Sequence, residues 1–208
     1  IEHMIFKGTK NLPEGAVDTI VYNACGSCNA FTSYDYTAYL FDIPSVYFQY
    51  ILPVMADCME NCIFDQEYLN SELKAVIQEL KMYNDEVVDV MVSDLMRNIF
   101  VNHPYGHPVI GYKNNIWNFT TEQLMAFYKQ YYCPKNALLT IVGDVNFEEC
   151  IKQVEKHFAG IKNDTFKAPS YCAYNEKDIL EGKIELAKNI AKSTNKEGVK
   201  AAQLGMAE

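Results

Sequence analysis

Apolar and polar positions recur along this chain with two different periods, and the changes of period divide it into elements. Ala16, Ile20, Val21 and Ala24 are helically spaced after a turn containing Pro13, and Gly26 is placed to close that helix as a left-handed cap. Residues 29–41 are rich in aromatic and β-branched types and read as one strand. Phe48, Ile51, Met55, Cys58, Met59 and Cys62 return to a helical period across residues 45–62, where Pro53 should kink or restart the helix. Asp65 caps a longer helix over residues 66–84, and a second helical pattern follows over residues 87–100. His103-Pro104-Tyr105-Gly106-His107-Pro108 breaks the pattern as a loop. Thr120-x-x-Gln123 is a capping box that opens a helix through Tyr131. Residues 137–142 read as a short buried strand ended by Gly143-Asp144, and Asn146-x-x-Glu149 opens a further helix that Gly160 stops. Beyond residue 170, positions 179–191 fit an amphipathic helix and 198–207 an edge-like strand.

Strands alternating with helices predict an α+β fold, a mixed β-sheet with helices packed on it. The chain reads as a single domain, residues 1–208, clear to residue 165, with 170–208 starting a following segment. No internal repeat or low-complexity tract interrupts it.

One helix carries a pattern that solvation does not explain. With Glu72 as zero and about 100° per residue, Tyr83, Val76, Leu80, Leu73 and Ile77 fall between roughly 20° and 140°. Lys81, Lys74 and Gln78 fall at roughly 180° to 240°, the wet face. Glu72 and Glu79 fall at about 0° and −20°, so two carboxylates line one edge of the apolar stripe. Taken alone, this is either a rim pair whose stems cover the core or a pair awaiting a cation, since a buried carboxylate needs one.

Composition narrows the class. A chain of 208 residues with 49% apolar content can bury a sizeable core. A net charge of −9 without a basic block argues against nucleic acid and anionic membrane as partners. No run of apolar residues is long enough to span a bilayer. Seven scattered cysteines look like reduced thiols, which favours a reducing, cytoplasmic setting, with a targeting segment upstream left open.

The opening residues Ile1-Glu2-His3-Met4-Ile5-Phe6-Lys7-Gly8-Thr9 resemble the H-x-x-E-H-M-x-F-K-G-T signature of the pitrilysin/insulinase family of zinc peptidases, the inverzincins. Further likeness comes from Asn29-Ala30-Phe31-Thr32-Ser33, Ala75-Val76-Ile77-Gln78-Glu79-Leu80-Lys81-Met82 and His103-Pro104-Tyr105. Pro108-Val109-Ile110-Gly111-Tyr112 and residues 136–145 complete five matches in the family's order. The resemblance covers residues 1–165 and implies one half-unit of such a peptidase. It implies Zn2+ held by His3 and Glu79, which stand 79 − 3 = 76 positions apart as the family's ligands do. It makes Glu2 the general base and Glu72 a catalytic residue that hydrogen-bonds around the metal site. It assigns Asn29, Ala30, Phe31 and Thr32 to a strand edge that takes an extended peptide by β-addition.

The implied activity is a zinc-dependent endopeptidase for extended or unfolded peptides, completed by a second homologous half or subunit. The family's first histidine would fall two positions before Ile1, so the chain reads as an N-terminal truncation and is expected to be inactive alone. The alternative in a different class is a non-catalytic scaffold subunit of the same fold. Against decay of that kind, Glu2, His3, Glu72 and Glu79 are all present.

Other reactive residues carry plainer readings. Cys25-x-x-Cys28 stands at a predicted helix C-terminus, the wrong pole for stabilising a thiolate. Cys58 and Cys62 share one helical face and read as core, His103 and His107 flank prolines in a loop, and His157 reads as dipole-stabilised surface.

Overall fold

A computed structural model describes residues 1–101 and 103–161. In chain order the helices are α1 (Glu2–Ile5), α2 (Ala16–Asn23), α3 (Phe48–Asn61), α4 (Gln66–Asp85), α5 (Val87–Ile99), α6 (Lys113–Ile116), α7 (Thr121–Tyr131) and α8 (Phe147–Phe158). The strands β1 (Ser27–Thr32) and β2 (Thr37–Asp42) lie between α2 and α3. The described part of the chain is therefore mostly helical with one small sheet. It forms two compact units, residues 1–75 with 117–161, and residues 76–116. The division falls inside α4, between Ala75 and Val76.

The sheet corrects two expectations. Residues 29–41 are not one strand but parts of an antiparallel hairpin, in register from Ser27 opposite Asp42 to Thr32 opposite Thr37. The chain reverses at Tyr34-Asp35, where the Ser33 N–H donates to the Tyr36 carbonyl at 2.8 Å. Folding back lets each half satisfy the other's backbone groups, which aromatic and β-branched content alone cannot reveal. Among the described residues the sheet is antiparallel and two-stranded, not mixed. Residues 137–142 are a third correction: they belong to no strand, with Leu138 90% and Val142 91% exposed. An apolar run becomes a strand only where a neighbouring strand pairs with it, and none of the described strands does.

The first unit is built on α3. Its Ile51, Leu52, Val54, Ala56 and Cys58 are buried, and it packs against α2 and α8. The helix runs through Pro53 without restarting, forgoing one backbone hydrogen bond. The Tyr128 hydroxyl on α7 donates to the Cys58 carbonyl at 3.0 Å and accepts from the Cys62 N–H at 3.3 Å, fastening α7 to the end of α3. The helix boundaries follow their caps. Asp65 Oδ1 accepts from the Glu67 N–H at 2.7 Å, Thr120 and Gln123 close the capping box, and Asn146 Oδ1 accepts from the Glu149 N–H at 3.0 Å.

The end of α2 shows why a glycine stands at 26. The left-handed residue is Cys25, at φ 56°, not Gly26. The Gly26 N–H reaches back to the Val21 carbonyl at 3.0 Å and the Cys25 N–H to the Tyr22 carbonyl at 2.9 Å, a Schellman ending. Gly26 is required for another reason: a Cβ there would lie 2.4 Å from the Asp42 carbonyl oxygen.

In the second unit, α5 has no buried residue, and the Pro104–Gly106 turn packs on it. The expectations for residues 179–191 and 198–207 lie outside the described residues.

Candidate metal centre

Two of the four residues of α1, Glu2 and His3, carry the candidate chemistry, and their neighbours hold it in place. Met4 and Ile5 are buried while Glu2 and His3 keep partial access to solvent. Phe6 sits edge-on against Tyr39 and Phe41 of β2, with centroids at 5.7 and 5.5 Å. Beyond it, buried Thr9 bridges to Cys62, and its hydroxyl donates to Asp57 of α3. The same carboxylate accepts from Asn11 at 2.6 Å and Asn61 at 2.8 Å. A helix this short has no stability of its own, so these contacts are what position it.

Two of the predicted groupings are brought together. His3 Nδ1 lies 2.9 Å from Glu72 Oε2 on α4, joining residues 69 apart in sequence. Glu2 accepts a hydrogen bond from the Thr32 hydroxyl of β1, which sets this carboxylate against the strand holding Asn29, Ala30 and Phe31. Along that strand the Ala30 N–H donates to Asn29 Oδ1 at 2.9 Å, and the Phe31 ring meets Tyr36 edge-on at 5.8 Å.

The phase read from the sequence for α4 holds through Leu80, whereas Tyr83, expected on the apolar stripe, is 42% exposed. Leu73 and Ile77 are buried, Lys74, Gln78 and Lys81 exposed, and Glu72 and Glu79 intermediate. Glu79, in the second unit, accepts from the Tyr83 hydroxyl at 3.2 Å. Among the described residues no group of three His, Cys, Asp or Glu side chains is placed to hold a metal.

Sequence reasoning passed over Lys7. Its Nζ lies 2.8 Å from Glu72 Oε1, so both oxygens of this carboxylate are engaged, one by Lys7 and one by His3. Burial pushes the Glu72 carboxyl up, but the hydrogen bonds from Lys7 and His3 outweigh it and hold the group below the usual carboxylate range. The hydrogen bond to Glu72 raises Lys7 in turn. Helical spacing could not have found it, because α1 ends at Ile5 and Lys7 lies in the turn that follows.

The donor chemistry fits zinc. An ionised carboxylate only accepts, so the Nδ1 proton of His3 points to Glu72 and, in the neutral ring, the lone pair lies on Nε2. A histidine held by a carboxylate through its other nitrogen is the usual support of a zinc ligand.

The structure thus sets a carboxylate and an adjacent histidine on one short helix, beside a strand edge and braced by a second helix. Comparison with known proteins gives the lineage. Residues 1–113 match the sequence model described as insulinase (peptidase family M16), and residues 118–207 match the one described as the peptidase M16 inactive domain. The chain is 32% identical over 158 residues to the "uncharacterized zinc protease YmxG" of Bacillus subtilis, covering 76% of this chain and 38% of that protein. It is 28% identical over 164 residues to the "probable mitochondrial-processing peptidase subunit beta, mitochondrial" of Arabidopsis thaliana, covering 79% of this chain and 31% of that one. A solved protease from Helicobacter pylori superposes with a TM-score of 0.75 at 30% identity, over 84% of this chain and 41% of its own. The chain belongs to the insulinase family of peptidases, family M16. It spans little more than a third of the length of these two relatives, 38% of the Bacillus protein and 31% of the Arabidopsis one.

Proposed function

We propose that the protein containing this chain is a zinc endopeptidase that cleaves extended or unfolded peptides, with residues 1–208 forming one half-unit of it. The observation that carries this reading is the pairing of His3 with Glu72 beside Glu2 on Thr32. His3 would ligate the metal, the family resemblance adds Glu79 as a ligand, and open catalytic zinc sites use three protein ligands. Zinc, when bound, supplies a Lewis acid beside the scissile carbonyl. Glu2 takes the proton of the attacking water and returns it to the leaving amine. The Thr32 hydroxyl holds one Glu2 oxygen, so the carboxylate is oriented before substrate arrives. Glu72 fixes the His3 ring through Nδ1.

Asn29, Ala30, Phe31 and Thr32 would line the peptide, with main-chain pairing indifferent to its sequence. A second homologous half or subunit completes the enzyme in this reading, in keeping with a relative that is itself named as a subunit. The match of residues 118–207 to a domain described as inactive, beside the insulinase match over residues 1–113, supports a reading in which residues 1–113 carry the chemistry. A reducing compartment suits the six described cysteines, all thiols. No described helix is long and apolar enough to cross a membrane.

The test is Glu2→Gln in the complete protein. Zinc should stay bound while turnover falls at least ~10²-fold, the scale of lost general-base catalysis. Unchanged turnover removes Glu2 from that role, and a wild-type protein with neither zinc nor cleavage would be the scaffold alternative.

A further inference from the structure

Lys7 is an ammonium whose stem follows α1 and whose head reaches α4. Its Nζ meets Glu72 Oε1 at 2.8 Å while His3 Nδ1 meets Oε2 at 2.9 Å. The Glu72 side chain is only 13% exposed, so water does little to orient it. A carboxylate gripped at one oxygen can still turn about its last bond, and the ring hydrogen-bonded to it can turn with it. A second donor on the other oxygen fixes the carboxylate plane and with it the imidazole. An ammonium has three donors and no lone pair, so Lys7 cannot itself ligate a metal. Its position leaves it one task in the site, to hold Glu72.

We infer that Lys7 is a positioning residue for the metal centre: by clamping the second oxygen of Glu72 it fixes the His3 ring for zinc. The inference rests on the proposed zinc site, and its distinctive content is that Lys7 acts through Glu72 and through nothing else.

The experiment is a zinc titration of the complete protein in wild type, Lys7→Met, Lys7→Arg, Glu72→Gln and the double variant Lys7→Met/Glu72→Gln. Denaturant unfolding of each metal-free form runs alongside. Lys7→Met should weaken zinc about tenfold, the lower end of the range for lost support behind a ligand. Lys7→Arg should restore most of this, and raising zinc should recover the cleavage lost in Lys7→Met. In the Glu72→Gln background, Lys7→Met should change zinc affinity less than about twofold, since coupled residues are not additive. Wild-type zinc affinity in Lys7→Met would overturn the inference and leave the peptidase reading standing. So would an equal loss in the Glu72→Gln background. Unfolding of metal-free Lys7→Met would overturn it by making Lys7 a stability residue. A wild-type protein that binds no zinc would end both.

Discussion

Helices α3 and α5 are both apolar along one side, yet only one of them became core. In α3 that side is covered by α2 and α8, and Leu52 is 1% exposed. In α5 the stripe of Val87, Val88, Met91, Val92 and Leu95 remains in solvent, with Leu95 43% exposed and no residue buried. Periodicity decides that a segment is a helix and which side is apolar. It does not decide what lies against that side. Glu2, His3 and Glu72 lie with the covered region: α1 is latched to the end of α3 through Thr9 and Asp57, and Lys7 and His3 grip Glu72 of α4. A site that must hold ligands steady needs supports that do not move.

Thiol labelling should break or sharpen this comparison most strongly. Burial pushes the Cys58 and Cys62 thiols up to about 12 from an ordinary 9.0. Alkylation at pH 8 should therefore modify these two at least ~10³-fold more slowly than in the denatured chain, because each pKa unit is tenfold in thiolate. A Leu95→Cys variant on α5 should label at the rate of an open thiol. The sign with pH follows from the same groups. Their folded values are raised, so the unfolded chain releases these protons first, and stability should fall as pH rises between 9.0 and about 12. Equal labelling of Cys58 and a cysteine at 95 would abolish the contrast.

Truncations come next. Leu52→Ala should cost about 2–5 kcal/mol in denaturant unfolding, and Leu95→Ala under about 0.5 kcal/mol, the usual cost at an exposed position. A Leu95→Ala loss approaching that of Leu52→Ala would mean that α5 is covered in solution.

The finest probe compares two glycines in equally tight places. A Cβ at Gly26 would lie 2.4 Å from the Asp42 carbonyl oxygen, and one at Gly106 would lie 2.3 Å from the Phe100 carbonyl oxygen. Gly26→Ala should cost about 1–3 kcal/mol, the range for overpacking, because the hairpin cannot yield. Gly106→Ala should cost less, since the turn it crowds packs on α5, a helix with no buried residue. Equal unfolding losses would show the two regions to be equally rigid.

Much of the architecture was legible because its causes are local. Asp65, the Thr120–Gln123 box and Asn146 start α4, α7 and α8 where predicted, since a cap and the helix it starts are neighbours in the chain. The phase of Glu72 and Glu79 on α4 was equally legible, because it depends only on the angle per residue. The hairpin was not, because residues 29–41 carry strand chemistry on both sides of the reversal at Tyr34-Asp35. Residues 137–142 were misread because burial belongs to a partner and not to a composition.

For the site, the sequence by itself determined the family, the candidate residues and the edge of α4 on which Glu72 lies. Only the tertiary structure decided that Glu72 meets His3 across 69 positions, that Lys7 takes its other oxygen, and that Thr32 steadies Glu2. The physical reason is reach. Helical phase and capping act over one or two turns, whereas a hydrogen bond between elements exists only after hydrophobic burial has brought their backbones together.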